Sequence, residues 1–132
     1  LVMKILMFSL LILISGMGVA FADPITAQTS FDEKIHFVDE QIMLMADISN
    51  NQDTPQNFAY ITQVRNNDDV VISLSWLTGS LSPRQSFSPA QSWIPTESGI
   101  YHIEVFVWES IDNPSALSPP LSMTVNVIER QT

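Results

Sequence analysis

Glu97-Ser98-Gly99-Ile100-Tyr101-His102-Ile103-Glu104-Val105-Phe106-Val107-Trp108 is the stretch on which the fold turns. Tyr101, Ile103, Val105 and Val107 fall on one side of an extended chain, opposed by His102, Glu104, Phe106 and Trp108. A repeat of two is the period of a strand with one buried face. Toward the C terminus, Leu121, Met123, Val125 and Val127 alternate with Ser122, Thr124 and Asn126 in the same way. Toward the N terminus, Ile42, Leu44, Ala46 and Ile48 alternate with Met43, Met45, Asp47 and Ser49, and the run ends in the turn-rich Asn50-Asn51-Gln52-Asp53-Thr54-Pro55. Phe58 to Arg65 and Val70 to Leu77 are two further strands, separated by Asn66-Asn67-Asp68-Asp69. Pro83, Pro89 and Pro95 confine Phe87 to Trp93 to a short strand of edge or bulged character.

With a short strand around Ile35 to Phe37, the count reaches about seven, with turn signals about every 8–12 residues and no amphipathic helix between them. That spacing predicts an all-β, antiparallel sandwich over residues 32–130, preceded by a polar, flexible lead-in over 23–31.

Residues 1–22 read as a signal helix. Lys4 supplies a positive start, Ile5 to Ile14 an apolar run, and Ala20-Phe21-Ala22 a small-residue cleavage site. The rival reading is an uncleaved anchor, because apolar and small residues continue to Ala22 and approach the ~20 that span a bilayer. Either way the sandwich is expected outside the cytoplasm, secreted or at the cell surface. Removing 22 of the 132 residues leaves 110, enough for one domain with its own core. The chain has no cysteine. An exported domain of this kind is held by packing alone, without disulfides, and has no thiol chemistry.

Once Lys4 goes with the signal, the formal net charge of −9 becomes −10, with Lys34, Arg65, Arg84 and Arg130 against fourteen acids. Phosphate backbones and anionic membranes are bound through clustered Lys and Arg, so nucleic acid is argued against, and membrane attachment would require the signal to stay in place.

The segment Gly99-Ile100-Tyr101-His102-Ile103 resembles the tyrosine corner of immunoglobulin-like domains. In those domains a Tyr near the start of the penultimate strand hydrogen-bonds back to the backbone, and a core position follows two residues later. Ile103 stands at that core position, where antibody domains carry Cys. Upstream, Leu81-Ser82-Pro83-Arg84-Gln85-Ser86, Trp93-Ile94-Pro95 and Gly99-Ile100-Tyr101 are similar to the Leu-x-Pro-Gly-x-Ser … Trp-x-Pro … Gly-x-Tyr pattern of the CARDB-like, fibronectin-III-type domains of secreted archaeal and bacterial proteins. Arg84 departs from it, standing where Gly is usual. The resemblance implies an extracellular immunoglobulin-like module that acts by contact.

Chemistry has few handholds. His36 and His102 sit in no nucleophile elbow or metalloprotease frame, and His102 is expected outward beside Glu104, so the chain reads as a non-enzyme. No cofactor is indicated. Asp47, Asp53, Asp68, Asp69 and Asp112 lie in or near predicted loops and leave structural calcium open beside the simpler reading of turn-forming residues. A copper site from His36, His102, Met43 and Met45 is disfavoured, because strand Met is usually packing filler.

The anomaly is Phe106 and Trp108, aromatic where the strand's outer face should be polar. With a neighbouring aromatic such as Tyr60 or Phe58 they would form a ridge suited to an envelope or extracellular protein or a glycan. The competing explanations are that the loop from Ile111 to Pro120 folds over them, or that the true core face is the other one. Tyr60, Phe106 and Trp108 are the candidate partner-binding residues of an exported adhesion or assembly module, with a carbohydrate- or cation-binding accessory module as the alternative.

Overall fold

The computed structural model describes residues 23–29 and 35–131, so the expected signal helix lies outside the described residues. Within them the regular elements are nine strands: β1 (Ile25–Thr29), β2 (His36–Phe37), β3 (Ile42–Asn50), β4 (Gln56–Arg65), β5 (Val71–Leu81), β6 (Ser86–Phe87), β7 (Ala90–Trp93), β8 (Gly99–Trp108) and β9 (Leu121–Ile128). They form a four-stranded sheet, in which β3 pairs with β1, β6 and β7, and a five-stranded sheet in the order β2-β9-β8-β4-β5. All pairings are antiparallel except β2 with β9.

Two corrections raise the strand count. Pro89 has no N–H to give a ladder, and it divides the expected Phe87 to Trp93 strand. Its halves still dock on β3, β6 against Ile48 and Ser49 and β7 against Ile42 to Met45. The other correction falls on the lead-in, whose residues 25–29 are a strand. β1 lies in register against Ala46 to Asn50, its first residue Ile25 is fully buried, and Ile25 N–H donates to Leu117 O at 3.1 Å. Thr26 Oγ1 also accepts from Asn51 Nδ2 at 2.6 Å. One anchor and a borrowed ladder hold a segment too polar to announce itself by pattern.

The core lies between the sheets. Ile42, Leu44, Ala46 and Ile48 of β3 join Tyr101, Ile103, Val105 and Val107 of β8 and Met123, Val125 and Val127 of β9 in a single buried cluster. Each large aliphatic side chain buried this way stabilises the fold by roughly 1.5–3 kcal/mol, and no disulfide shares the task.

The tyrosine corner is present. Tyr101 Oη donates to Glu97 O at 2.5 Å, and its ring meets Trp93 edge to face at 4.7 Å and 68°. Tyr60 is the contrasting case. It pairs with Val107, which puts it on the inner face at 0% exposure, and neither its Oη nor Thr62 Oγ1 has a hydrogen-bond partner among the described residues. Burial pushes the Tyr60 phenol above its ordinary pKa. Thr62 on the same face pulls partly against this, from a position that does not meet hydrogen-bond geometry. Tyr101 is raised too, by burial and then by Glu97.

Arg84 shows how the turn tolerates its departure from Gly. Its φ of 60° is left-handed, Gln85 N–H donates to Ser82 O at 3.1 Å to close the turn, and Arg84 Nε donates to Asp53 Oδ1 at 2.9 Å in the open.

Three measurements check these local arguments. In urea unfolding, Tyr101→Phe should cost about 1 kcal/mol, whereas Tyr60→Phe should be neutral or stabilising by up to about 1 kcal/mol. Because both phenols are raised in the folded state, they stabilise it fully below the unfolded tyrosine pKa of about 10. That contribution fades as pH rises toward the folded values, and Tyr60→Phe should lessen the alkaline loss. At the turn, Arg84→Gly should be more stable than Arg84→Ala by about 1 kcal/mol, since both lose the side chain and only Ala keeps the left-handed strain.

Candidate functional site: an aromatic sheet face

β4 is flanked by β8 and β5, and its burial breaks the rule of alternation. Phe58, Tyr60, Thr62 and Val64 face the core, yet Ala59 and Ile61 on the opposite side are buried as well, Ile61 to 6% exposure. What covers them is a second apolar layer on the outside of the five-stranded sheet. In register, Ile61 lies between Phe106 of β8 and Trp76 of β5, and Ala59 lies opposite Trp108. Phe106 and Trp108 stack at a tilt, centroids 5.8 Å apart and planes at 43°. Leu74 and Trp76 stand further out, 53% and 58% exposed.

These side chains enclose an open cleft of about 380 Å³ lined by Ile61, Gln63, Leu74, Trp76, Phe106, Trp108 and Ile111. Gln63 is the one polar residue in that lining. The loop after β8 covers it only in part. Trp108 bridges to Ala116, Glu109 N–H donates to Ser115 O at 3.0 Å and Leu117 N–H to Val107 O at 2.8 Å. The loop is thereby fastened beside the end of β8, with Ile111 at the rim of the cleft and Trp76 left open. Beyond Gln63, Arg65 is held between Glu104 and Asp69, the latter at 3.3 Å, so the face's nearby cation is already matched.

Of the three predicted site residues, the structure brings Phe106 and Trp108 together and sends Tyr60 elsewhere. Tyr60 is in register with inward-facing Val107, and Phe58, two residues away, is inward as well. The ridge is completed by Trp76, Leu74 and Ile61. The signal that could have found them was the alternation of Leu74 and Trp76 with Ser73 and Ser75. Its phase is inverted: the large residues face out, and Ser75 faces in and hydrogen-bonds Gln91.

The other candidate residues do not converge. His36 is buried on the inner face with Nδ1 3.4 Å from Glu40, whereas His102 is half-buried on the outer face, so the two lie on opposite sides of one sheet. Glu104, expected beside His102, is taken by Arg65. Met43 and Met45 are exposed on β3 in the other sheet. Asp47 accepts from Ser88 Oγ at 2.6 Å, Asp53 from Arg84 and Asp69 from Arg65, and Asp68 N–H donates to Asn66 Oδ1 at 2.9 Å within its turn. The guanidinium of Arg84 holds the Asp53 carboxyl below its ordinary pKa. Among the described residues no group of three or more His, Cys, Asp or Glu gathers to hold a metal ion.

No family model matches the chain, and no curated protein matches it. Solved structures are similar to it in fold. The CARDB domain of a Pyrococcus furiosus protein, crystallised in complex with di-metal ions, aligns with a TM-score of 0.61 at 18% identity, over 85% of this chain and 100% of that one. A β-glucosidase from Listeria innocua in complex with gluconolactone aligns at 0.63 and 12% identity over 85% of this chain, which spans 17% of the enzyme. A Bacteroides uniformis β-glucuronidase aligns at 0.58 and 10% identity over 78% of this chain and 13% of its own. The fold is thus an immunoglobulin-like sandwich with CARDB-like neighbours, as the Leu81–Ser86, Trp93–Pro95 and Gly99–Tyr101 resemblance implies.

The layering of the outer face is open to a stability test. Ile61→Ala should cost about 2–4 kcal/mol despite lying outside the main core. Trp76→Ala should change the urea midpoint by less than about 1 kcal/mol in equivalent stability, because most of its ring is already in water.

Proposed function

We propose that the chain is an exported, non-catalytic immunoglobulin-like module that docks an envelope or extracellular protein through the outer face of its five-stranded sheet. The observation that carries the reading is the open aromatic cleft of Trp76, Phe106 and Trp108. Contiguous apolar surface of this kind costs solubility unless something covers it, and clustered Trp and Phe are the side chains that concentrate binding energy at protein interfaces. The rest of the surface carries the strong negative charge, which keeps non-specific association low and leaves the uncharged cleft as the adhesive region.

A second reading is a carbohydrate-binding accessory module. Aromatic faces suit sugar rings, and domains of this shape occur within the β-glucosidase and β-glucuronidase noted above. The lining has few hydrogen-bonding groups, Gln63 and the indole N–H donors of Trp76 and Trp108, and this favours a protein over a polyhydroxylated ligand.

The test is chemical crosslinking on intact source cells, comparing the natural chain with Trp76→Ala and Phe106→Ala variants whose circular dichroism matches it. A reproducible protein adduct mapping to β5 or β8 and lost in both variants is the expected result. An adduct that both variants retain would place the interface elsewhere. Quenching of tryptophan fluorescence by oligosaccharides, abolished by Trp76→Ala, would move the assignment to the glycan reading.

A further inference from the structure

The edges of the two sheets are unequal. β2 and β6 have two residues each, β7 four and β1 five, whereas β5 has eleven and, among the described residues, pairs only with β4. Natural edge strands of that length are usually blunted by charge or proline, since a free row of N–H and C=O groups is a template for another strand. Val71 to Leu81 contains no charged residue and no proline, in a chain whose net charge is −9. Among the described residues, no backbone hydrogen bond beyond the β4 ladder involves Val71 to Ser80.

The strand also carries a register. A bulge between Val64 and Arg65 leaves Ile72 without an opposing residue on β4, so the regular ladder begins at Ser73. From there the chain reads Ser73-Leu74-Ser75-Trp76-Leu77, with Leu74 and Trp76 outward and exposed. Antiparallel pairing of this segment with itself about Ser75 puts Leu74 of each copy opposite Trp76 of the other. The outer face then gains two large apolar cross-strand pairs, each of a kind that stabilises antiparallel sheets. The two Ser75 residues meet on the axis, and Ser73 meets Leu77. Asp68 and Asp69 lie beyond the paired segment and do not confront their own copies. The bulge bounds the ladder at both ends, and because each copy contributes the same edge the pairing closes at two copies.

We propose that the partner of the β5 edge is a second copy of this chain, joined by two-fold self-pairing of Ser73 to Leu77 into one continuous ten-stranded sheet, twice the five of each copy. The pairing brings the two aromatic clefts side by side, with Leu74 and Trp76 shared between edge and cleft.

The absence of native cysteine makes the test clean. In the full chain, expressed with its own N-terminal segment, Ser75→Cys should be trapped by mild oxidation as a disulfide dimer at least about tenfold faster than Thr78→Cys, which does not face itself in this register. Sedimentation of the natural chain should show a concentration-dependent monomer–dimer equilibrium, and Leu74→Lys should abolish it while leaving the circular dichroism unchanged. Equal trapping rates for the two cysteine variants, or a monomer at every concentration, would overturn the proposal. So would species larger than a dimer, or crosslinking of Ser75→Cys only to another protein. Phe106→Ala, which alters the cleft on β8 and leaves the β5 edge untouched, should lose the cell-surface adduct and keep the dimer, separating this interface from the docking face.

Discussion

The fold depends on two sheets adhering without a covalent bridge. In antibody domains a disulfide spans the sandwich; here Ile103 occupies one of its positions, and the join is apolar contact between the inner faces of β3 and of β8 with β9. Such contact is non-directional, so the geometry is fixed by a few polar ties at the rim. Tyr101 binds the backbone at Glu97, and Asn50, itself buried, donates through Nδ2 to Thr54 O at 2.8 Å and Ser82 O at 3.1 Å while its Oδ1 accepts from Gln52 N at 3.0 Å. Asn50 thus links the end of β3 to the turn that follows β5, a task its place in an Asn-rich turn did not advertise.

Because the inner faces are fully used for adhesion, anything the molecule does to a partner must happen on its outer faces, edges or loops. The outer face of the five-stranded sheet is where Trp76, Phe106 and Trp108 gather around one cleft. β4 is buried on both sides, with Ala59 and Ile61 roofed by rings from β5 and β8. A site built on strands in this way is positioned by ladder hydrogen bonds as well as by packing. Phe106 and Trp108 are therefore presented in a fixed attitude, and a partner has little side-chain freedom to freeze beyond Trp76 and Leu74.

Much of this was legible in the sequence where period and burial coincide. β3 and β9 alternate cleanly because one face is core and the other water, β8 because its core face runs unbroken from Tyr101 to Val107, and the tyrosine corner is a local motif whose hydrogen bond spans four residues. Legibility failed where a tertiary neighbour supplied the decisive term. β1 is a strand because β3 offers it a ladder and the core offers Ile25 a pocket, and neither is visible in Ile25 to Thr29. Tyr60 could not be assigned a side from β4 alone, since β4 is apolar on both. Register with β8 decides it, and register is a property of pairs. Half of the candidate site was readable on β8 as two misplaced aromatics. The half on β5 was hidden by an inverted phase in which serines face inward.

The two ends of the described domain leave at opposite poles. Ile25 at the start of β1 lies against Leu117, just before β9 begins, whereas Ile128 at the end of β9 accepts from Val38 N–H at 3.0 Å at the far end. Tension applied between the termini would draw β1 along β3 and β9 along β8, parallel to the strand axes. Ladder hydrogen bonds lie across those axes, so they would be loaded together in shear instead of being peeled open one at a time. The arrangement resists tension along its strands better than tension across them.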